Sequence, residues 1–295
     1  VNRKLIKLAI VGFGAQLVDG ALGMGYGVTS STLLLLVGLS PALAVTSVHL
    51  SEVGTTLVSG VSHWRLGNVD WPTAVRLALP GAVGAFAGAT VLSHLSTEAA
   101  QPVTASILLV LGAYIIVRYL RPITVRPRTQ ARTGFLAPLG LVAGFVDSTG
   151  GGGWGPVATT TLLTTGRLEP RKAVGTVDTS EFLVTVSASA GFLLGLGTAG
   201  IDLGIVLALL AGGVVAAPLA ALAVSRLPAR LLGVGVGGLI VLTNLRTLLS
   251  AADAGTEVSQ GAYLLVSLVW AGVVVWTLVS LRRRSVPIVE EVGAA

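Results

Sequence analysis

Two glutamates set the chemistry this chain can do. Glu52 and Glu181 each lie near the middle of an apolar run, 41–63 and 171–195. His49 stands three residues before Glu52, and Asp178 three residues before Glu181. On a helix that spacing puts each pair on one face. An ionisable group at that depth in hydrocarbon is costly and marks a functional site by default. His49, Glu52, Asp178 and Glu181 are therefore candidates for proton coupling or gating. A neutral acid, or one that caps a hairpin's N–H groups, giving shape and no transport, is the competing reading; His49 is a proton carrier or a packed polar group, and its sharing a face with Glu52 favours the carrier.

A second pair of acids precedes glycine runs. Asp19 opens "DGALGMGYG" at 19–27, and Asp147 opens "DSTGGGGWGP" at 147–156. After each run comes an apolar helix whose first turns carry hydroxyls: Thr29, Ser30 and Ser31 in one case, Thr159, Thr160 and Thr161 in the other. Unpaired N–H groups and the dipole at a helix start attract anions. Glycine lets the backbone approach a ligand, and Pro156 suits a first helical position. Gly25, Tyr26, Gly27, Thr29 and Ser30, with Gly151, Gly152, Gly153, Trp154, Gly155, Thr159 and Thr160, form the candidate substrate site. It would hold one anion between two facing helix starts. Tyr26 and Trp154 either wall that site or pack. Asp19 and Asp147 read as turn-stabilising acceptors, since they would repel an anion.

The elements that must position these residues are membrane helices. Of the 295 residues 53% are hydrophobic and 11% charged, against about 25% charged in soluble domains, and the mean hydropathy is +0.87. A span needs about 20 apolar residues, which predicts spans over 41–63, 71–94, 102–120, 171–195, 202–225, 229–249 and 260–281. The stretches 5–38 and 134–166 are broken by glycines. Their second pieces, 28–38 and 156–166, would cover about 16 Å, too short for a core of roughly 30 Å. Each stretch is predicted to be a re-entrant hairpin of two half-helices, buried in protein or lining a cavity.

The chain repeats itself. Residues 17–38 align with 145–166, 40–59 with 169–188, and 68–95 with 200–227. Asp19 thereby pairs with Asp147, Tyr26 with Trp154 and Glu52 with Glu181. One copy holds a hairpin and three spans, an odd number, so the second must be inverted, as in secondary transporters built on broken helices. The predicted fold is an all-α integral membrane protein of two inverted repeats, 1–125 and 126–250, followed by 251–295, an extra span and a basic tail. With that tail in the cytoplasm, fourteen basic residues lie inside and four outside, Arg3, Lys4, Lys7 and Arg246, in line with the positive-inside rule. The basic, then apolar, start "VNRKLIKLAIVGF" resembles a signal peptide. With no small-residue cleavage pattern after it, it reads as the first helix of the mature protein.

Other chemistries find no support. The absence of cysteine excludes disulfides, thiolate metal sites and cysteine catalysis. Gly150–Gly155 and Gly233–Gly238 match G-x-G-x-x-G, but both lie in apolar helical context where a dinucleotide site needs a preceding strand. No metal-ligand cluster, cofactor motif or nucleophile–base set is apparent, so no enzyme is predicted. The net charge of +6 is spread over short loops and implies no nucleic-acid partner. The partners expected are a small anion and the lipid bilayer.

"LVDGALGMGYGVTSSTLL", "SVHLSEV", "FVDSTGGGGWGPVATTTLL" and "EPRKAVGTVDTSEF" together resemble the TauE/SafE family of sulfite exporters, also called the four-toluene sulfonate uptake permeases. The first hairpin departs from the family's glycine run by carrying Met24 and Tyr26 between single glycines. The resemblance implies movement of sulfite, organosulfonate or thiosulfate across a bacterial plasma (inner) membrane by a multi-pass carrier, usually outward and plausibly proton-linked. A passive anion channel with the same hairpins, or an importer of another sulfur oxyanion such as thiosulfate, stays open.

Overall fold

The computed structural model describes residues 3–121, 133–164, 168–198, 200–223 and 229–284. Arg126, Arg128, Arg132, Arg167 and Arg226 of the basic-loop expectation, and the 125/126 repeat boundary, lie outside the described residues. The described residues fold into helices: α1 (Arg3–Leu22), α2 (Tyr26–Leu36), α3 (Pro41–Arg65), α4 (Trp71–His94), α5 (Thr97–Leu120), α6 (Thr133–Gly150), a π-turn (Gly155–Thr159) leading into α7 (Thr160–Thr164), α8 (Pro170–Leu196), α9 (Leu203–Ala223), α10 (Ala229–Ala251) and α11 (Thr256–Arg284).

Local chemistry sets the helix starts. The Asp70 side chain accepts from Thr73 N at 3.1 Å and Ser96 accepts from Ala99 N at 3.3 Å, each satisfying an orphan N–H of the first turn. Pro41 and Pro170 open α3 and α8, where proline's missing N–H costs nothing.

Six of these helices, α4, α5, α8, α9, α10 and α11, are long and apolar enough to cross a membrane, where the sequence predicted seven spans. The seventh, α3, has the length at 25 residues but not the apolarity. Thr46, Ser47, His49, Ser51, Glu52, Thr55, Thr56, Ser59 and His63 are all buried along it, so its polar side faces protein rather than lipid.

The hairpins also differ from expectation. Only their second arms are short. The first arms, α1 with 20 residues and α6 with 18, run to about 30 and 27 Å at 1.5 Å per residue, well beyond the second arms, though neither is among the six helices long and apolar enough to cross. As a result the two tips pass one another. Thr149 O, at the second tip, accepts from Thr104 Oγ1 at 3.1 Å, while Leu22 O, at the first, accepts from Tyr119 OH at 3.4 Å. Both donors lie on α5, fifteen residues or about 22 Å apart.

Packing is exchanged between the halves. α1 lies along α9 and α6 along α4. A Cβ at Gly12 would overlap Leu209 O, and one at Gly140 would overlap Leu77 O. These are aligned positions in the two copies, and small residues let the backbones touch. α5 and α10 cross where Gly112 meets Gly237 O and Gly237 meets Gly112 O. α11 rests on α10 through Trp270 Nε1, which donates to Val234 O at 3.0 Å, and through Arg230 over the Trp276 ring at 4.5 Å. Most of its remaining surface is exposed and apolar.

Candidate functional site

The two glycine turns meet. A Cβ on Gly27 would lie 2.8 Å from Gly152 Cα, and one on Gly155 would lie 2.6 Å from Met24 Cα. Gly151 and Gly152 take φ of 76° and 144°, values L side chains rarely adopt. Two hydroxyls tie the turns together: Ser31 Oγ donates to Gly151 O at 2.6 Å, and Thr159 Oγ1 donates to Gly23 O at 2.7 Å. Ser31 aligns with Thr159, and Gly23 with Gly151, so the clasp is reciprocal. The helix starts touch, and the space between them is closed in this conformation.

The N–H groups at these starts face carboxylates of their own hairpins. Asp19 Oδ1 accepts from Tyr26 N at 3.3 Å. Asp147 Oδ1 accepts from Gly153 N at 2.7 Å and Trp154 N at 3.1 Å. Asp147 Oδ2 lies 3.0 Å from His49 Nε2. The other ring nitrogen of His49 is 2.9 Å from Val45 O. A carbonyl only accepts, so Nδ1 carries hydrogen, and the Nε2–Asp147 contact holds a further proton on one atom or the other. Asp147 thus links a proton site to the backbone donors of the second hairpin.

Beside the first hairpin the chemistry differs. Asp19, Asp178 and Glu181, all buried, place carboxylate oxygens within 4.8 Å of one another. This is a set able to hold a cation or shared protons, where sequence spacing had joined only Asp178 with Glu181. Asp178 Oδ2 lies 3.4 Å from His63 Nε2 and accepts from Ser59 Oγ. Glu52 falls between the two regions. Its Oε1 would lie 3.1 Å from a Cβ on Gly27, and its Oε2 is buried without a hydrogen-bond partner.

The hydroxyls divide by copy. Thr29 Oγ1 and Ser30 Oγ are buried and unpartnered. Thr159 is spent on the clasp, and Thr160 donates to Pro156 O and contacts Tyr114 OH at 2.7 Å. The hairpin aromatics pack in aligned notches. The Trp154 ring fills the space a Cβ on Gly81 would take, and Tyr26 lies against Gly213. Trp154 Nε1 donates to Val177 O at 3.0 Å, and Tyr26 OH is 3.0 Å from Ser51 Oγ. Gly25 has φ 131° beside Val18, and a Cβ on Gly153 would press on Asp147 N at 2.9 Å.

These crossed, glycine-broken helices with buried acids behind them occupy the stretch covered by a known family: the family model for sulfite exporter TauE/SafE matches residues 8–247. The chain belongs to the TauE/SafE family. The probable membrane transporter protein YtnM of Bacillus subtilis (strain 168) is 47% identical over 287 residues, 96% of each chain. The probable membrane transporter protein YdhB of the same organism is 27% identical over 180 residues, 59% of this chain and 71% of that protein. No solved structure matches. This TauE/SafE chain is a multi-pass membrane transporter.

Sequence reasoning missed two polar residues of the candidate site, Ser59 and His63. His63 aligns with Phe192, so the repeat gave no hint. Yet the two positions make aligned contacts of different chemistry: His63 meets the Asp178 carboxylate, and Phe192 meets the His49 ring at 5.7 Å. The four-residue spacing of Ser59 and His63, one and two turns beyond Thr55, was the available signal.

Proposed function

We propose that this chain is a secondary transporter that exports sulfite or a small organosulfonate across the bacterial plasma membrane, coupled to protons, by alternating access between two inverted repeats. The observation that carries the reading is the double engagement of Asp147. One oxygen accepts from Gly153 and Trp154 N–H, and the other shares a proton with His49. An oxyanion reaching the second hairpin competes with the Asp147 carboxylate for those donors. Protonating Asp147 weakens its hold as an acceptor and frees the N–H groups for the anion. Deprotonation restores the carboxylate and expels the anion.

In the first hairpin Thr29 and Ser30 supply hydroxyl donors that nothing else uses. Glu52 at the contact and Glu181 beside Asp19 and Asp178 serve as further proton-carrying or gating groups. Their closeness in a buried setting calls for a counter-charge, which a proton supplies. The close contact of Gly27 with Gly152 means that an anion can enter between the hairpins only when they part.

The test is sulfite flux in proteoliposomes with and without a pH gradient. The expected result is saturable flux that the gradient accelerates. Saturable flux indifferent to the gradient removes proton coupling. Non-saturating flux that follows voltage alone replaces the carrier with a channel.

A further inference from the structure

Among the described residues, Arg118 is a buried cation with no carboxylate beside it. Its side chain is 6% exposed, and its Nε and Nη2 are enclosed without hydrogen-bond partners. Among the described residues no carboxylate pairs with it. The segment that follows α5, 122–132, contains neither Asp nor Glu. An unpaired guanidinium inside a membrane protein is costly, and such groups face the bundle interior and mark ion pathways.

Its place on α5 is telling. The next residue, Tyr119, donates to Leu22 O at the first hairpin tip. One turn earlier, Tyr114 OH contacts Thr160 at the start of the second hairpin's outgoing helix. Arg118 therefore stands on the strip of α5 that touches both hairpins. Ile115 and Tyr119 on that strip pack in one cluster with Leu22, Met24 and Val28. Its planar fork of N–H donors matches the oxygen atoms of a sulfonate or sulfite.

We propose that Arg118 is a substrate ligand, binding the oxyanion as it passes the first hairpin tip. The inference rests on the anion-transport reading above and adds to it a fixed positive charge, which the hairpin hydroxyls and backbone lack. A phospholipid headgroup offers the same oxyanion chemistry through its phosphate, so the experiment separates the two.

Wild type, Arg118→Gln and Arg118→Lys are reconstituted, sulfite flux is measured against concentration, and thermal unfolding in detergent is followed with and without sulfite. Losing a charge-assisted contact should raise KM about tenfold or more in Arg118→Gln, with partial recovery in Arg118→Lys, which keeps the charge but not the fork. Without anion, Arg118→Gln should be as stable as wild type or more so, and the stabilisation by sulfite should vanish. A lower unfolding temperature with unchanged KM makes Arg118 a structural residue and overturns the proposal. So does phospholipid that copurifies with wild type but not with Arg118→Gln while KM is unchanged, which assigns the guanidinium to a headgroup. Wild type that neither carries nor is stabilised by any sulfur oxyanion overturns the transport reading itself, and Arg118's ligand with it.

Discussion

Gly152→Ala places one methyl group where the two hairpins touch. The glycine has φ 144°, and a non-glycine residue in such a region costs about 1–3 kcal/mol. The added Cβ would also overlap Val28 N and lie 2.6 Å from Gly27 C and 2.9 Å from Val28 Cα. These are backbone atoms that cannot rotate away, and overpacking of this kind adds about 1–3 kcal/mol. The sum is a loss of roughly 2–6 kcal/mol, or a prised-open contact between the hairpins. Thermal unfolding of the purified protein in detergent reads the first outcome, and sulfite flux in proteoliposomes the second. Gly14→Ala is the matched control. Gly14 lies inside α1 with nothing within 4 Å of its added Cβ, so alanine should be neutral or stabilise by about 0.5–1 kcal/mol. Gly152→Ala with wild-type stability and wild-type flux would refute the contact on which the site is built.

Asp147→Ala strips the acceptor from Gly153 N, Trp154 N and His49 Nε2, at about 1–3 kcal/mol for each buried group left unpaired. Asp147→Asn keeps an oxygen for the turn, so chemical denaturation should find it clearly more stable than Asp147→Ala, while its flux loses pH-gradient dependence. Trp154→Phe should cost about 1 kcal/mol for the lost bond to Val177 O, measurable as a shift in the unfolding curve with flux retained. Glu181→Gln should leave sulfite binding intact and reduce the acceleration of flux by a pH gradient; unchanged acceleration removes Glu181 from coupling.

The repeat was legible because both copies solve one packing problem with matched residues. Aligning Asp19 with Asp147 and Tyr26 with Trp154 was enough to anticipate two glycine turns facing one another, but not that they cross and touch. Burial of Glu52 and Glu181 followed from their depth in apolar runs. The partners were not legible. That Asp147 meets His49 on α3, while Asp19 meets Asp178 and Glu181 on α8, depends on packing exchanged between halves, and no local spacing encodes it. The length of the hairpin arms was hidden too. The glycine runs read as breaks from their first residue, yet α1 continues through Gly20 to Leu22 and α6 to Gly150, because protein covers Gly20 and Gly150. The polar face of α3 hid in the opposite way: its eleven-residue-deep glutamate was visible, but His63 stood at the very end of the predicted span 41–63, where a polar residue is ordinary.

The reciprocal clasp between the hairpins constrains how this transporter can open. Ser31 and Thr159 each cap a carbonyl on the opposite turn, Gly151 O and Gly23 O. Parting the turns bares two acceptors and two hydroxyls at once, deep in the bundle, where an unmet polar group is expensive. The hydroxyls can turn back to carbonyls of their own helices, as Thr46 and Ser47 do, but the two bared carbonyls need water or the cargo's own hydration shell. Separation and wetting are therefore one event: the barrier to opening is set by how readily water enters, and a dry excursion returns to the clasped form. Solvent thus acts as the latch on this contact, and the same two carbonyls must be hydrated before the hairpins part.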